Sequence, residues 1–370
     1  MTDFVVIGGG IAGVSAAAHL ARHGSVTLLE MERSLAYHTT GRSAALYVAN
    51  YGGEGARPLA HASRPFLEMP PEGSADGSLL SDRGLLWVAD QGHEQLLGDM
   101  ARQGHETGAG ATLVSQAEAL SLVPSLRPDW VVGGLYEPGA RDIDVAALHQ
   151  AFVRIARKHG AEIRLAAPVT GLTRSTGGWR ISIRAEVLET AVVVNAAGAW
   201  GDRVAAIGGI DPIGLQPMRR TAFMVPGNAA YAGWPMVVDV DEGFYFRPDG
   251  LQLLCSLAEE TPSEPGDPRP DMEDVALAIE RINQATTLGI RAVNSQWTGL
   301  RTFAPDRRLV VGEEPTAPGF FWLVGQGGTG IQTSPAYGAV LACLVLGDAL
   351  PADLASAGVD PEAYSPGRFR

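Results

Sequence analysis

Gly8, Gly10 and Gly13 close the apolar run Phe4-Val5-Val6-Ile7 and open a small-residue segment, Val14-Ser15-Ala16-Ala17-Ala18-His19-Leu20. A second apolar run then ends on Glu30. Strand, glycine turn, helix, strand and terminal acid, in that order, form the device that grips a dinucleotide pyrophosphate. Gly8 permits the tight turn, Gly10 lets backbone N–H groups approach the phosphates, and Gly13 lets helix and strand pack closely. Glu30 stands where a ribose diol needs an acceptor. The helix start adds about half a positive charge facing the phosphates.

Two later segments carry the same kind of chemistry. The apolar strand Ala191-Val192-Val193-Val194-Asn195 runs into Ala196-Ala197-Gly198-Ala199-Trp200, whose small residues let the backbone pass beside a flat or phosphorylated ligand. Near the end, strand Gly319 to Val324 enters Gly325-Gln326-Gly327-Gly328-Thr329-Gly330 and then a helix expected to begin near Thr329. Free N–H donors at such a helix start can stabilise an electron-rich ring edge.

The elements around these turns read as α/β. Leu85 to Asp90 has the composition of a strand and Glu94 to Gln103 of a helix. A short strand and helix fill 112 to 124, and Asp144 caps a helix that carries His149, taken as a packing or surface residue. Between Leu215 and Trp297 the chain changes to strands Thr221–Val225, Met236–Val238, Gly243–Arg247 and Gln252–Ser256, the makings of an antiparallel sheet. The acid- and proline-rich stretch 259 to 272 reads as a solvated connection, followed by an amphipathic helix from Val275 to Thr286. The expected architecture is a Rossmann-type dinucleotide domain from 1–80, 141–212 and 298–370. Interleaved with it is a second domain from 81–140 and 213–297, built on a mostly antiparallel sheet.

Composition narrows the partners. With 28 Lys+Arg against 41 Asp+Glu, the net charge of -13 disfavours nucleic acid and anionic membrane surfaces. The 2 cysteines, Cys255 and Cys343, read as structural thiols in a reducing compartment, with no metal cluster expected. The first residues are already a strand without a basic leader, and the longest late apolar run, 339–346, is too short to span a bilayer. A cytoplasmic protein acting on a small molecule is the expectation.

Four strings sharpen this: His38-Thr39-Thr40-Gly41-Arg42-Ser43-Ala44-Ala45, Leu215-Gln216-Pro217-Met218-Arg219-Arg220, Gly299-Leu300-Arg301, and Gln326 to Ser334. Through them, and over nearly its whole length, the chain resembles the FAD-dependent amino-acid oxidoreductases of the D-amino-acid oxidase, glycine oxidase and sarcosine oxidase type. The D-arginine dehydrogenase branch is the most similar. The resemblance implies FAD. It would be held by Gly8, Gly10, Ile11, Ala12, Gly13, Glu30 and Met31, then by His38, Thr40, Gly41, Arg42, Ser43, Ala44 and Ala45. Val169, Ala197, Gly198 and Trp200 follow, and finally Gly327, Gly328, Thr329, Gly330, Ile331, Gln332 and Thr333. Some relatives attach flavin covalently through a histidine at the position of His38, but the D-arginine dehydrogenases bind it noncovalently with a histidine there, so noncovalent FAD is expected.

The resemblance further implies that Arg301 pairs with a substrate carboxylate and that one of Arg219 and Arg220 assists. The sequence does not say which, only that neighbours on a strand face opposite ways. Tyr51 and Tyr245 match phenols around the substrate, and the Gly328 carbonyl matches an acceptor for its amine. Where the enzyme for basic D-amino acids carries a histidine and a glutamate, this chain has Leu46 and Leu85. A cationic side chain would be buried there without a counter-charge, at a cost of several kcal/mol. Leu46, Leu85 and Trp87 instead favour an apolar or aromatic side chain. The expected reaction is oxidative deamination of such a D-amino acid by hydride transfer to flavin, with oxygen, a quinone or another acceptor downstream. Its rivals are a secondary-amine oxidase of the sarcosine or glycine type, a 2-hydroxy-acid dehydrogenase, and a flavin-binding assembly protein without turnover.

Overall fold

The computed structural model describes residues 2–106 and 110–370. At its centre the strand Thr2–Ile7 pairs in parallel with Val26–Leu29 on one side and Glu186–Asn195 on the other. Glu162–Arg164 and Phe320–Val324 extend the parallel set, while Val169–Ser175, Gly178–Ile183 and Val310–Glu313 add antiparallel pairings, making eight strands among the described residues. The central run is apolar at successive positions because both faces are covered. Phe4 and Val6 enter the core shared with the helices Ile11–Leu20, Val145–Lys158 and Ser334–Leu346. Val5 and Ile7 enter the opposite core with Trp179, Val204 and Trp322.

Glycines set the spacing behind this sheet. A Cβ on Gly13 would fall 1.8 Å from the Gly8 carbonyl oxygen, and one on Gly338 would fall 2.0 Å from Ser15 Oγ. Gly13 thus packs the helix Ile11–Leu20 onto the turn before it, Gly338 of Ser334–Leu346 lies directly on the Ser15 side chain, and Ser15 Oγ donates to the Ser334 carbonyl at 2.6 Å. Asp144 caps Val145–Lys158 as expected, accepting from Ala147 N.

Among the described residues the second sheet has nine strands. Gln216–Pro226 pairs with Ser295–Phe303 and with the short strand Thr261–Pro262, which lies in the stretch expected to be a plain connection; the sheet then continues through Gln252–Ser256, Tyr245–Asp249, Met236–Asp239, Leu85–Ala89, Gly133–Glu137 and Thr112–Ser115. It is antiparallel except where Met236–Asp239 lies parallel to Leu85–Ala89. Side-chain alternation gives it two uses. Leu86, Val88, Phe223, Val237, Phe246 and Leu253 face the helices Gln116–Leu122 and Met272–Ala285. Leu85, Trp87, Ala222, Val238 and Tyr245 face the other way, toward the first sheet. Leu46–Tyr47, Leu80–Asp82 and Arg141–Ile143 form a small third sheet between them.

Candidate active site

A continuous cavity of about 510 Å³ runs from the glycine turn after the first strand to the inward face of the second sheet. Its first end is built by backbone. Gly8 sits at φ 110°, where a Cβ would fall 2.5 Å from the Ala196 carbonyl, so only glycine fits. Gly10 is crowded only by Thr40, whose hydroxyl accepts the first helical amide, Ile11 N, at 3.0 Å. The Gly10 and Ala12 amides have no acceptor among the described residues, and both line the cavity. Buried Glu30 accepts from Gly9 N at 2.7 Å and from Glu32 N at 2.8 Å, which fixes its carboxylate at the end of its strand. His149 is a packing residue with a specific task. Its Nε2 donates to the Gly9 carbonyl at 3.0 Å, and burial keeps its pKa below the usual histidine value.

The middle of the cavity is walled by His38 to Thr40, Arg42 to Ala45, Ala197 to Trp200, Gly327, Gly328 and Gly330 to Gln332. His38 Nε2 lies 3.0 Å from Glu32, and its ring lies against Trp200 at 4.5 Å. Gln332 is buried with its Oε1 accepting Val48 N, while its Nε2 has no partner among the described residues. The amides of Gly330, Ile331 and Gln332 likewise have no acceptor among the described residues. A row of unsatisfied donors in a buried wall is costly unless a polar ligand accepts from them. These donors, the cradle at Gly10 and the carboxylate of Glu30 fit a dinucleotide whose ring system reaches Gly327 to Gln332.

The far end holds the charge. Arg220 and Arg301 stand on adjacent strands, opposite Gly299 and Met218 respectively, and so share the inward face. Arg301 donates to the Tyr51 hydroxyl at 3.3 Å. Burial opposes its charge, but Tyr51, Tyr245, Glu242 and Glu260 hold its pKa above the usual guanidinium value. Arg220 is pushed the other way, first by burial and then by Arg301. Its nearest carboxylate is Glu260 at 3.4 Å, and its Nε is buried without a partner among the described residues. The Gly328 carbonyl accepts from no described group, and its α-carbon is crowded by Arg301 and Tyr51. Leu46, Leu85, Trp87, Ala222, Met236 and Val238 supply the apolar wall beside the arginines.

Most of the residues singled out from the sequence meet in this one cavity, including Met31, Arg42, Ser43, Ala44 and Val169. Five do not. Arg219 turns away and pairs with Asp274 at 3.1 Å and Asp271 at 3.7 Å, because its strand neighbour Arg220 takes the inward face. Gly13 and Gly41 are packing glycines, against the carbonyls of Gly8 and Ala36. Thr329 borders an adjoining chamber, and Thr333 folds back to donate to the Thr329 carbonyl at 2.9 Å. The helix after these glycines begins at Ser334 rather than near Thr329. Residues 327 to 333 are turns, and Pro335 in the first helical turn marks the true start. Glu242, Met236 and Glu260 were not legible as site residues. Glu242 lies at the tip between two strands in a left-handed conformation, φ 54°, which no local residue pattern announces.

The sequence profile described as "FAD dependent oxidoreductase" matches residues 3–344. Among curated proteins, the chain is 27% identical to mitochondrial sarcosine dehydrogenase of Homo sapiens over 359 residues, covering 92% of this chain and 39% of that protein. It is 29% identical to mitochondrial dimethylglycine dehydrogenase of Homo sapiens over 261 residues, covering 68% and 30%. The chain thus spans about two fifths or less of the length of these relatives. Its fold is that of L-proline dehydrogenase from P. horikoshii, with TM-score 0.86 and 22% identity over 100% of this chain and 97% of that one. It is equally that of glycine oxidase from Geobacillus kaustophilus, with TM-score 0.85 and 23% identity over 98% of each. The match over nearly the full length, on a cavity whose unpaired donors suit a dinucleotide, gives the assignment: the chain belongs to the FAD dependent oxidoreductase family, and FAD is its cofactor.

Proposed function

We propose that the protein oxidises the Cα–N bond of a D-amino acid with an apolar or aromatic side chain. One observation carries this reading: Arg301, with no ion pair among the described residues, and Arg220, paired only with Glu260 at 3.4 Å, face the same cavity as two phenols and the dinucleotide turn, beside an apolar wall. Arg301 and Arg220 would receive the carboxylate, because a buried pair of cations gains most from an anion that also satisfies the orphaned Arg220 Nε. The Gly328 carbonyl would accept from the amine and, with the carboxylate held, turn the single Cα hydrogen toward the ring. Leu46, Leu85, Met236 and Val238 would take the side chain. Bound FAD supplies the two-electron acceptor. The substrate loses its Cα hydrogen with the bonding pair and a proton from nitrogen. Water then hydrolyses the 2-imino acid to a 2-oxo acid and ammonia. No described side chain is needed as a base if the amine binds neutral, so the protein's contribution is orientation and charge.

Noncovalent attachment of FAD belongs to the proposal; His38 Nε2 lies 3.0 Å from Glu32, while its Nδ1 is buried without a partner among the described residues. Flavin fluorescence absent from the denatured polypeptide band checks this. The division of the chain into a dinucleotide part (1–80, 141–212, 298–370) and a substrate part (81–140, 213–297) is part of the same proposal.

Anaerobic bleaching of the flavin by a substrate panel tests the reading. D-Leucine, D-methionine and D-phenylalanine are expected to exceed D-arginine and D-lysine in kcat/KM, and the opposite order overturns it. A second reading, oxidation of an N-substituted amino acid, is favoured by likeness to sarcosine dehydrogenase over 92% of this chain. Faster bleaching by sarcosine than by any primary D-amino acid would establish it.

A further inference from the structure

We propose that Trp87 is a fixed partition that limits the size of the substrate side chain, and that Glu137 is the positioning residue that holds it shut. The inference rests on the functional reading above and extends it to the size of the substrate.

A second chamber of about 360 Å³ adjoins the main cavity, and Val48, Tyr51, Trp87, Glu242, Gln326 and Gly328 border both. Trp87 is the bulkiest of the shared residues. Strand register explains its place. Leu85 lies opposite Glu137 and Trp87 opposite Leu135 in an antiparallel pair, so all four side chains share one face. Leu85 and Trp87 look into the main cavity, whereas Trp87, Leu135 and Glu137 look into the second chamber. The indole Nε1 donates to Glu137 Oε1 at 3.2 Å, and Asn50 Nδ2 donates to Glu137 Oε2 at 3.2 Å. Glu137 is only 5% exposed, and burial raises its pKa.

A carboxyl this buried is an expensive way to hold a ring unless ring position matters. An indole in an apolar wall is free to tip about its side-chain torsions. A single acceptor at the end of its N–H removes that freedom. With the ring held, a side chain lying along Leu46 and Leu85 ends against Trp87. With the ring released, the two chambers join and a second fused ring gains room.

The test compares Glu137→Leu, Glu137→Gln and Trp87→Ala, each checked for bound FAD and thermal unfolding. The readouts are kcat/KM for D-tryptophan relative to D-alanine, and the binding of 2-naphthoate relative to benzoate, followed by the flavin spectrum. The aromatic carboxylates report chamber size without turnover. If no amino acid reduces the flavin, the functional reading fails while the carboxylate ratio still judges the partition. Trp87→Ala is expected to raise both ratios about tenfold or more, the scale of rejection a pocket wall provides. Glu137→Leu should raise them in the same sense, mainly through KM. Glu137→Gln keeps an acceptor for the indole and should stay near the parent ratios. Unchanged ratios in folded, FAD-bound Glu137→Leu overturn the lock, as do raised ratios in Glu137→Gln. Unchanged ratios in Trp87→Ala overturn the partition itself.

Discussion

Arg219 and Arg220 are neighbours in sequence with opposite surroundings, and they make the sharpest comparison at the scale of single residues. Replacing Arg220 or Arg301 with alanine leaves its partner guanidinium without help in gripping a carboxylate. Losses of about 2–5 kcal/mol are typical when one side of a buried charged pair is truncated. Steady-state kinetics should therefore show KM for the amino acid rising by two orders of magnitude or more in Arg301→Ala, with a smaller rise in Arg220→Ala. Arg219→Ala should leave kcat/KM within about twofold, because its ion pairs with Asp271 and Asp274 are partly solvated and lie on the far face. Strand alternation made it legible that one of the two arginines would point inward. Which one depends on the register against Ser295–Phe303, a partner 80 residues away that local pattern does not reveal.

Elements were most legible where backbone geometry demands a particular residue. The first strand, its glycine turn and the following helix could be read directly, because a positive φ at Gly8 and the close approach of Gly13 leave no choice of residue. Gly13→Ala tests that claim. Its Cβ would meet the Gly8 carbonyl oxygen inside van der Waals contact, so turn or helix must move, and overpacking of this kind costs about 1–3 kcal/mol or more. The variant should melt earlier and emerge from purification with less FAD, as read by the ratio of flavin to protein absorbance. A variant with parental melting and full flavin would contradict the packing described. The helix at Ser334 was less legible. Thr329 and Gly330 look like a cap and a first turn, yet residues 327 to 333 stay outside the helix, and the amides of Gly330, Ile331 and Gln332 find no acceptor among the described residues beside the cavity. Tertiary contacts, including Thr302 accepting Gly327 N at 2.9 Å, set that geometry.

At the scale of the whole molecule, the two-sheet plan followed from the change of periodicity near residue 215, whereas the pairing of Leu85–Ala89 with Met236–Asp239 did not, because it joins segments 150 residues apart. No helix among the described residues is long and apolar enough to cross a membrane. Acid sensitivity belongs to this scale as well. Glu314 is fully buried. Burial alone would raise its pKa, but Arg370, then Thr316 and Trp322, donate to it and bring it down to about 2. A carboxylate whose folded pKa lies below its unfolded one stabilises the protein above the unfolded value, near 4.5, and loses that contribution as pH falls toward 2. Denaturant titrations should show stability declining through that window, with Glu314→Gln flatter there. Arg370→Ala, which strands the carboxylate, should cost about 3–5 kcal/mol at neutral pH. One last consequence follows from the cavity's two-sided walls, with the nucleotide end on the parallel sheet and the arginines on the other. A prosthetic group spanning that seam is also a mechanical clamp, so stripping it should split a single calorimetric transition into two, and restoring FAD should fuse them again.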